Sequence, residues 1–138
     1  MKLQISRQFD ASPEAVFEAW LDAESVCQWL FATPGGVMEK VEIVPRVGGG
    51  FTINERRGET LATHFGAYLE IDRPHRLVFT FSVSADVPET RVAVDVEPAP
   101  GGCRLTLTHE GVWADYEERT RAGWTMILDG LARALRLG

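Results

Sequence analysis

The amino-acid sequence predicts an α+β fold in which a curved antiparallel sheet is laid against one long C-terminal helix. Three observations predict it. The last thirty or so residues open with His109-Glu110-Gly111-Val112-Trp113 and continue as one amphipathic stretch carrying Gly123-Trp124, then Ile127, Leu128, Leu131 and Leu135 at helical spacing. Upstream, successive segments alternate apolar and polar residues and are separated by turn residues, which is the pattern of half-buried strands. A single long apolar helix also needs a large partner surface, and a curved sheet supplies one.

The first strand covers residues 2 to 9, with Leu3, Ile5 and Phe9 on one face and Lys2, Gln4, Ser6 and Gln8 on the other. Ser12-Pro13-Glu14 starts a helix: the hydroxyl caps, the proline sits where its missing N–H costs nothing, and the acid suits the dipole. That helix runs to about Leu21 through Val16, Phe17 and Trp20, and a second short helix from Glu24 to Leu30 returns Trp29, Leu30 and Phe31 to the body. A loop follows at Thr33-Pro34-Gly35-Gly36.

Val41, Ile43, Pro45 and Val47 share a face until Gly48-Gly49-Gly50 interrupts, and Phe51 and Ile53 resume the alternation, predicting a hairpin or strongly bent strand pair. The three glycines are read as tight backbone geometry, because the GxxxxGK(S/T) continuation of a phosphate cradle is absent. After a turn at Arg56-Arg57-Gly58-Glu59, the alternation Leu61, Thr63, Phe65, Ala67, Leu69, Ile71 predicts a strand with those residues inward. A turn at 72–75 leads to Leu77, Phe79, Phe81 and Val83, and the connection Ser84-Ala85-Asp86-Val87-Pro88 to Val92, Val94 and Val96. Pro98-Ala99-Pro100-Gly101-Gly102 then turns the chain into Cys103, Leu105, Leu107 and His109. Asp115 and Glu118 are placed as a capping pair for the last helix, whose inner stripe is Tyr116, Thr120, Trp124, Ile127, Leu128, Leu131, Ala134 and Leu135. Glu117, Arg121, Asp129, Arg133 and Arg136 take its solvent side, and Gly123 is expected to permit close approach to a strand.

The 138 residues suit one domain spanning 1–138, long enough to bury roughly 68% of the unfolded surface. With 14 basic against 20 acidic side chains the net charge is −6, which argues against nucleic-acid backbones and anionic membranes as partners. No apolar run approaches the roughly 18 residues of a membrane span, and the N-terminus alternates where a signal region would be continuously apolar, so a cytoplasmic setting is expected. Cys27 and Cys103 lie far apart and are read as reduced fillers.

Several fragments, in order, resemble a known family. They are Ile5-Ser6-Arg7-Gln8-Phe9-Asp10-Ala11-Ser12-Pro13 leading to Val16-Phe17-Glu18-Ala19-Trp20, then Gln28-Trp29, Arg46-Val47-Gly48-Gly49-Gly50-Phe51 and Gly66-Ala67-Tyr68-Leu69-Glu70-Ile71. Pro74-His75-Arg76-Leu77-Val78-Phe79-Thr80, His109-Glu110-Gly111 and Gly123-Trp124 complete the set. Together they resemble the activator-of-heat-shock-protein-90-ATPase homologue group of the START-like, helix-grip superfamily, also called SRPBCC. The resemblance implies six or seven antiparallel strands gripping the long helix, two short helices after the first strand closing one end, and an interior that often holds a ligand. The eukaryotic activators set this domain beside a separate N-terminal domain, for which these residues leave no room.

If the resembled cavity is present, strand phase places Phe51, Phe65, Phe79, Phe81, Leu105, Leu107 and Trp124 in its walls, with Arg7, Tyr68 and His109 as polar anchors. The same aromatic set reads equally as a filled core. His109 continues the apolar phase of its strand and is read as a structural, hydrogen-bonding histidine, since the only same-phase candidate partner on the first strand, Arg7, would oppose protonation. An interior Arg7–Glu55 pair is conceivable, although exposure of Arg7 at a strand end is the simpler expectation. His64, His75 and His109 fall in different places, His64 on the phase opposite Phe65, so no metal site is expected and no cofactor is called for. Neither a GxSxG turn nor a Cys matched to a His appears, and no catalytic constellation is visible. The leading reading is a binding module for a small hydrophobic or aromatic ligand, as monomer or homodimer. The alternatives are a chaperone- or stress-related protein-interaction domain, and a cyclase- or hydratase-like enzyme drawing on Arg7, Glu55, Tyr68 and His109.

Overall fold

The computed structural model describes residues 2–84 and 86–137; Met1 and Ala85 of the sequence reading lie outside them. Strand β1 (Lys2–Phe9) is followed by helices α1 (Pro13–Glu18) and α2 (Ala23–Trp29), then by strands β2 (Val37–Ile43), β3 (Gly50–Arg57), β4 (Thr60–Asp72), β5 (Arg76–Phe81), β6 (Thr90–Ala99) and β7 (Gly102–Glu110). A 3-10 turn at Ala114–Tyr116 leads into helix α3 (Glu117–Leu137). The strands form one seven-stranded sheet in the order β1-β7-β6-β5-β4-β3-β2, every neighbouring pair antiparallel. Strands β2 to β7 therefore make an unbroken meander, and β1 closes onto β7 with Leu3 opposite His109 and Arg7 opposite Leu105. The 13-residue β4 serves both halves of the sheet: residues 60–67 pair with β3 and residues 68–72 with β5.

Local chemistry explains the helix starts. The Ser12 hydroxyl accepts from the Ala15 N–H at 3.1 Å, and Asp22 caps α2 by accepting from the Glu24 N–H at 3.1 Å. Helix α1 ends at Glu18, earlier than expected, and Trp20 and Leu21 continue in tighter i→i+3 turns. Trp20 and Trp29 meet edge to face at 4.8 Å and pin the two short helices to the core. The glycine run performs the structural role expected of it. Gly48 has φ +90, its N–H donates to the Tyr68 carbonyl at 3.1 Å, and a Cβ at Gly50 would lie 2.3 Å from the Gly66 carbonyl oxygen. The strand stops at Ile43, however, and Val47, expected on the inner face, is exposed in the turn.

Helix α3 buries Trp124, Ile127, Leu128 and Leu131, but three details of its expected geometry differ. Asp115 lies inside the 3-10 turn, which has no side-chain cap, so the Asp115–Glu118 pair does not open the helix. Tyr116 is thereby turned outward and is 43% exposed. Gly123 has open space where a Cβ would stand, whereas one on Gly130 would lie 3.3 Å from the Cβ of Trp29, so close packing occurs about two turns further along nearly the same face, against α2.

The largest difference is the phase of β4. Pairing places Ala62, His64 and Gly66 opposite Glu55, Ile53 and Phe51, whose side chains are buried, so the inner face runs through His64, Gly66 and Tyr68, and Phe65 falls on the other side. Gly66 decides this: a Cβ there would sit 2.9 Å from the Phe51 ring and 1.8 Å from the Thr80 carbonyl oxygen. A register shift between Tyr68 and Glu70 then returns Ile71 to the inner face opposite Leu77, leaving Leu69 exposed.

Candidate functional site

The space beneath α3, where the expected cavity would lie, holds the protein's own Phe31. This residue follows α2 in a left-handed conformation (φ +59), uncommon for a bulky side chain, and is 4% exposed. Its ring stacks on His64 at 4.3 Å and 6°, lies 5.0 Å from Phe81 and 5.7 Å from Trp124, and approaches Phe51 at 6.5 Å. Below the loop, Glu55 is buried, accepts from the Thr33 N–H at 2.7 Å and its hydroxyl at 3.1 Å, and is paired with Arg57 at 2.5 Å. Arg57 also donates to the Phe31 carbonyl at 3.0 Å. Burial works to raise the Glu55 pKa, but the hydrogen bonds from Thr33 and Arg57 outweigh it and hold the carboxylate below its ordinary range. One acid on β3 thus ties down the segment that carries the plugging ring. Burial, reinforced by the Arg57 charge and partly offset by Glu55, pushes the His64 pKa down to about 4.

His109 is fixed in one protonation state by its partners. The Trp124 indole N–H donates to Nδ1 at 3.0 Å, and an indole nitrogen is only a donor, so Nδ1 must be the acceptor and the proton resides on Nε2. Nε2–H then donates to Thr90 Oγ1 at 2.7 Å, whose own proton goes to the Phe81 carbonyl at 3.3 Å. Burial pushes the His109 pKa down to about 4, in keeping with a neutral ring. Both nitrogens are occupied in joining α3 to β6 and β7.

Beside this network a half-open cleft of about 420 Å³ lies at the end of the sheet, between the segment after β5 and the segment joining β7 to α3. Phe81, His109 and Thr90 form part of its lining, with Ser82, Val83, Val87, Pro88, Val112 and Thr120. Glu89, Gly111, Trp113 and Tyr116 complete it, the two rings with centroids 5.9 Å apart; Trp113 is 64% exposed, and Val83 and Val87 are also open to solvent. The lining is mainly apolar, and its volume suits a small organic molecule.

Residues 10–136 match the family model described as Activator of Hsp90 ATPase homolog 1-like protein. The chain belongs to that family. It is similar to a solved structure of a Chromobacterium violaceum protein (26% identity, 96% of each chain covered, TM-score 0.85). The AHSA1-like protein from Aeromonas hydrophila shares 24% identity over 99% of this chain and 93% of that one, with a TM-score of 0.87. A Staphylococcus aureus protein of unknown function reaches a TM-score of 0.88 at only 16% identity, over 99% and 94% of the two chains, and shows the fold alone. A search of curated proteins finds no match.

In this AHSA1-like chain the residues singled out by strand phase are dispersed. Phe51, Phe79, Leu105, Leu107 and Trp124 are packed into the core together with Tyr68, whose hydroxyl pKa is raised by burial. Phe81 and His109 line the cleft. Phe65 stands outside the core cluster, for the reason of phase given above. Arg7 points along the inner face of β1 but pairs with Asp129 of α3, a residue expected to face solvent. It does not meet Glu55, because β1 stands at one edge of the sheet and β3 next to the other. Arg7, Glu55, Tyr68 and His109 therefore form no polar pair with one another. Among the described residues no group of His, Cys, Asp and Glu could hold a metal, and no helix is long and apolar enough to cross a membrane. Sequence reasoning passed over Ser82, Val83, Val87, Trp113 and Tyr116. The available signal was Trp113, a large aromatic in a short connection with no strand or helix period to bury it, whereas helical spacing assigns Tyr116 to the inner stripe of the last helix.

Proposed function

We propose that this chain is a binding module that takes a small, ring-bearing apolar molecule into the cleft at the end of the sheet. The observation that carries the reading is the exposure of Trp113, Tyr116, Val83 and Val87 around one concave, mainly apolar site. Scattered single apolar residues on a surface mean little, but a cluster of them bordering a pocket marks a place where something binds. The mechanism is burial: the ligand slides between the Trp113 and Tyr116 rings and the Phe81 floor, and the His109–Thr90–Trp124 network keeps that floor in shape. The neutral fluorescent probe phenylnaphthylamine should bind the protein, brighten, and raise its unfolding temperature. Trp113→Ala should weaken the probe at least about fivefold while leaving the fold intact, since the ring is mostly in solvent. Binding that is indifferent to Trp113 would remove the cleft from consideration.

The second reading is a protein-interaction role, including a stress-related one, in which the same exposed rim meets a partner. It is supported by the interior, which Phe31 fills, so that apolar surface is offered outward and not held within. A protein that no ring-bearing probe stabilises would move the assignment to it. The enzyme reading has the least support, because three of its four polar candidates, Arg7, Glu55 and His109, are engaged with separate partners and none of the four meets another.

A further inference from the structure

Ser82 lines the cleft and is nine-tenths buried. Its backbone is fully engaged, N–H to the Phe65 carbonyl at 2.8 Å and carbonyl to the Phe65 N–H at 3.0 Å, yet its hydroxyl has no hydrogen-bond partner among the described residues. That hydroxyl is not sealed off from the cleft, so a molecule entering there can take up its hydrogen bond in place of water. The two polar side chains beside it at the inner end of the cleft are spent: both His109 nitrogens are taken, and Thr90 accepts from His109 and donates to Phe81.

The charge of the lining narrows the partner further. Among the described lining residues there is no lysine or arginine, and the only charged side chain is the acid Glu89. Arg119 lies over the Tyr116 ring at 5.4 Å but is outside the lining. Protonating His109 to create a cation would break the Trp124 bond, and the chain as a whole carries −6. A carboxylate entering this cleft would lose its water and gain no counter-charge, which is strongly unfavourable.

We infer that the occupant is an uncharged ring-bearing molecule with a hydroxyl or carbonyl at its buried end, and that the Ser82 hydroxyl is its hydrogen-bond partner. The inference rests on the cleft being the binding site, as proposed above, and adds the ligand's charge class and the residue that selects it. A hydroxyl both donates and accepts, so Ser82 discriminates a polar end from a bare hydrocarbon without demanding one orientation of the proton.

Three probes of nearly equal shape, naphthol, naphthalene and naphthoate, separate the possibilities when each competes with phenylnaphthylamine at neutral pH. Naphthol should bind about fivefold to tenfold more tightly than naphthalene, and naphthoate at least about tenfold more weakly than naphthol. Ser82→Ala should bring naphthol to the level of naphthalene and leave naphthalene unchanged. Naphthoate binding as well as naphthol, or Ser82→Ala leaving the naphthol advantage intact, would overturn the inference while the cleft reading survived. Failure of all three probes, together with an indifferent Trp113→Ala, would bring down the cleft reading and this inference with it.

Discussion

Replacing Phe31 tests whether the interior is closed by the protein's own side chain. The ring is 4% exposed and contacts His64, Phe81, Trp124 and Phe51, so Phe31→Ala removes a fully packed aromatic from a site whose walls belong to α3, β3, β4 and β5 and cannot easily collapse. The expected loss is about 3–5 kcal/mol, the transfer of the ring plus the cavity left behind. Backbone geometry adds a second, independent expectation. At φ +59 a Cβ is penalised by about 1–2 kcal/mol, and glycine escapes that penalty but is floppier in the unfolded chain by about 0.5–1 kcal/mol. Phe31→Gly should therefore be no less stable than Phe31→Ala despite losing one carbon more. Urea unfolding gives both numbers. An apolar hole should also admit benzene or indole, so saturating benzene should restore part of the stability of Phe31→Ala and none of the parent's. A loss below about 1 kcal/mol in Phe31→Ala, with no response to benzene, would refute the claim that Phe31 fills the chamber.

The remaining expectations concern charge and backbone. His64 and His109 both titrate at about 4 in the folded chain against 6.5 ordinarily, so between those values the unfolded chain binds protons that the folded one refuses. Their stabilising contribution is complete above pH 6.5 and is lost as the pH falls toward 4, at up to about 1.4 kcal/mol per pH unit for each. Urea titrations at several pH values should show this slope, and the double variant His64→Gln, His109→Gln should flatten it; an unchanged slope would show that other groups are responsible. Glu55, whose carboxylate is held below 4.5 in the fold, contributes stability above that value and loses it in stronger acid. Glu55→Ala strands the Thr33 N–H and the Arg57 guanidinium and should cost about 2–3 kcal/mol by urea unfolding, whereas an exposed pair such as Lys2–Glu110 should be nearly silent on Glu110→Ala. Gly123→Ala meets open space on a helix and should stabilise by up to about 1 kcal/mol, while Gly66→Ala collides with the Thr80 carbonyl and should destabilise by more than that; thermal melts of the two variants suffice.

Much of the fold is legible in the sequence because most of its strands alternate. In β1, β6 and β7 the inner phase is apolar apart from Arg7, Thr90 and His109, and the structure buries Leu3 and Phe9, Val92, Val94 and Val96, and Cys103, Leu105 and Leu107. Strand β4 is illegible for a definite reason. Its outer face carries Leu61, Phe65 and Leu69, more apolar than the inner face of His64, Gly66 and Tyr68, so a count of apolar residues selects the wrong phase. The inner face is poor in apolar side chains because it must accommodate rings arriving from elsewhere: Phe51 over Gly66, and Phe31 stacked on His64. Side chains supplied by another segment leave no periodic trace in the strand that receives them. The same limit hides the plug, since nothing local to Phe31 announces a left-handed backbone.

The location of the cleft follows from that packing. With Phe31 in the chamber, Phe81 is held between the stacked pair Phe31–His64 on one side and His109 at 5.5 Å on the other. Its ring thus serves both as a wall of the closed interior and as part of the floor of the open cleft, and the two spaces are separated by one aromatic thickness. A ligand seated against Phe81 would press on a stack whose far end is tied through the Phe31 carbonyl to Arg57 and thence to Glu55. If the proposed cleft binds a ligand, the rigidity of its floor should depend on a buried carboxylate on β3 that lies outside the lining. Glu55→Ala should accordingly weaken phenylnaphthylamine binding in the temperature range where the variant remains folded, by loosening the floor while the rim stays intact. Unchanged affinity in a demonstrably destabilised Glu55→Ala would show that cleft and chamber are mechanically independent, with Thr90, His109 and Trp124 alone sufficient to hold Phe81 in place.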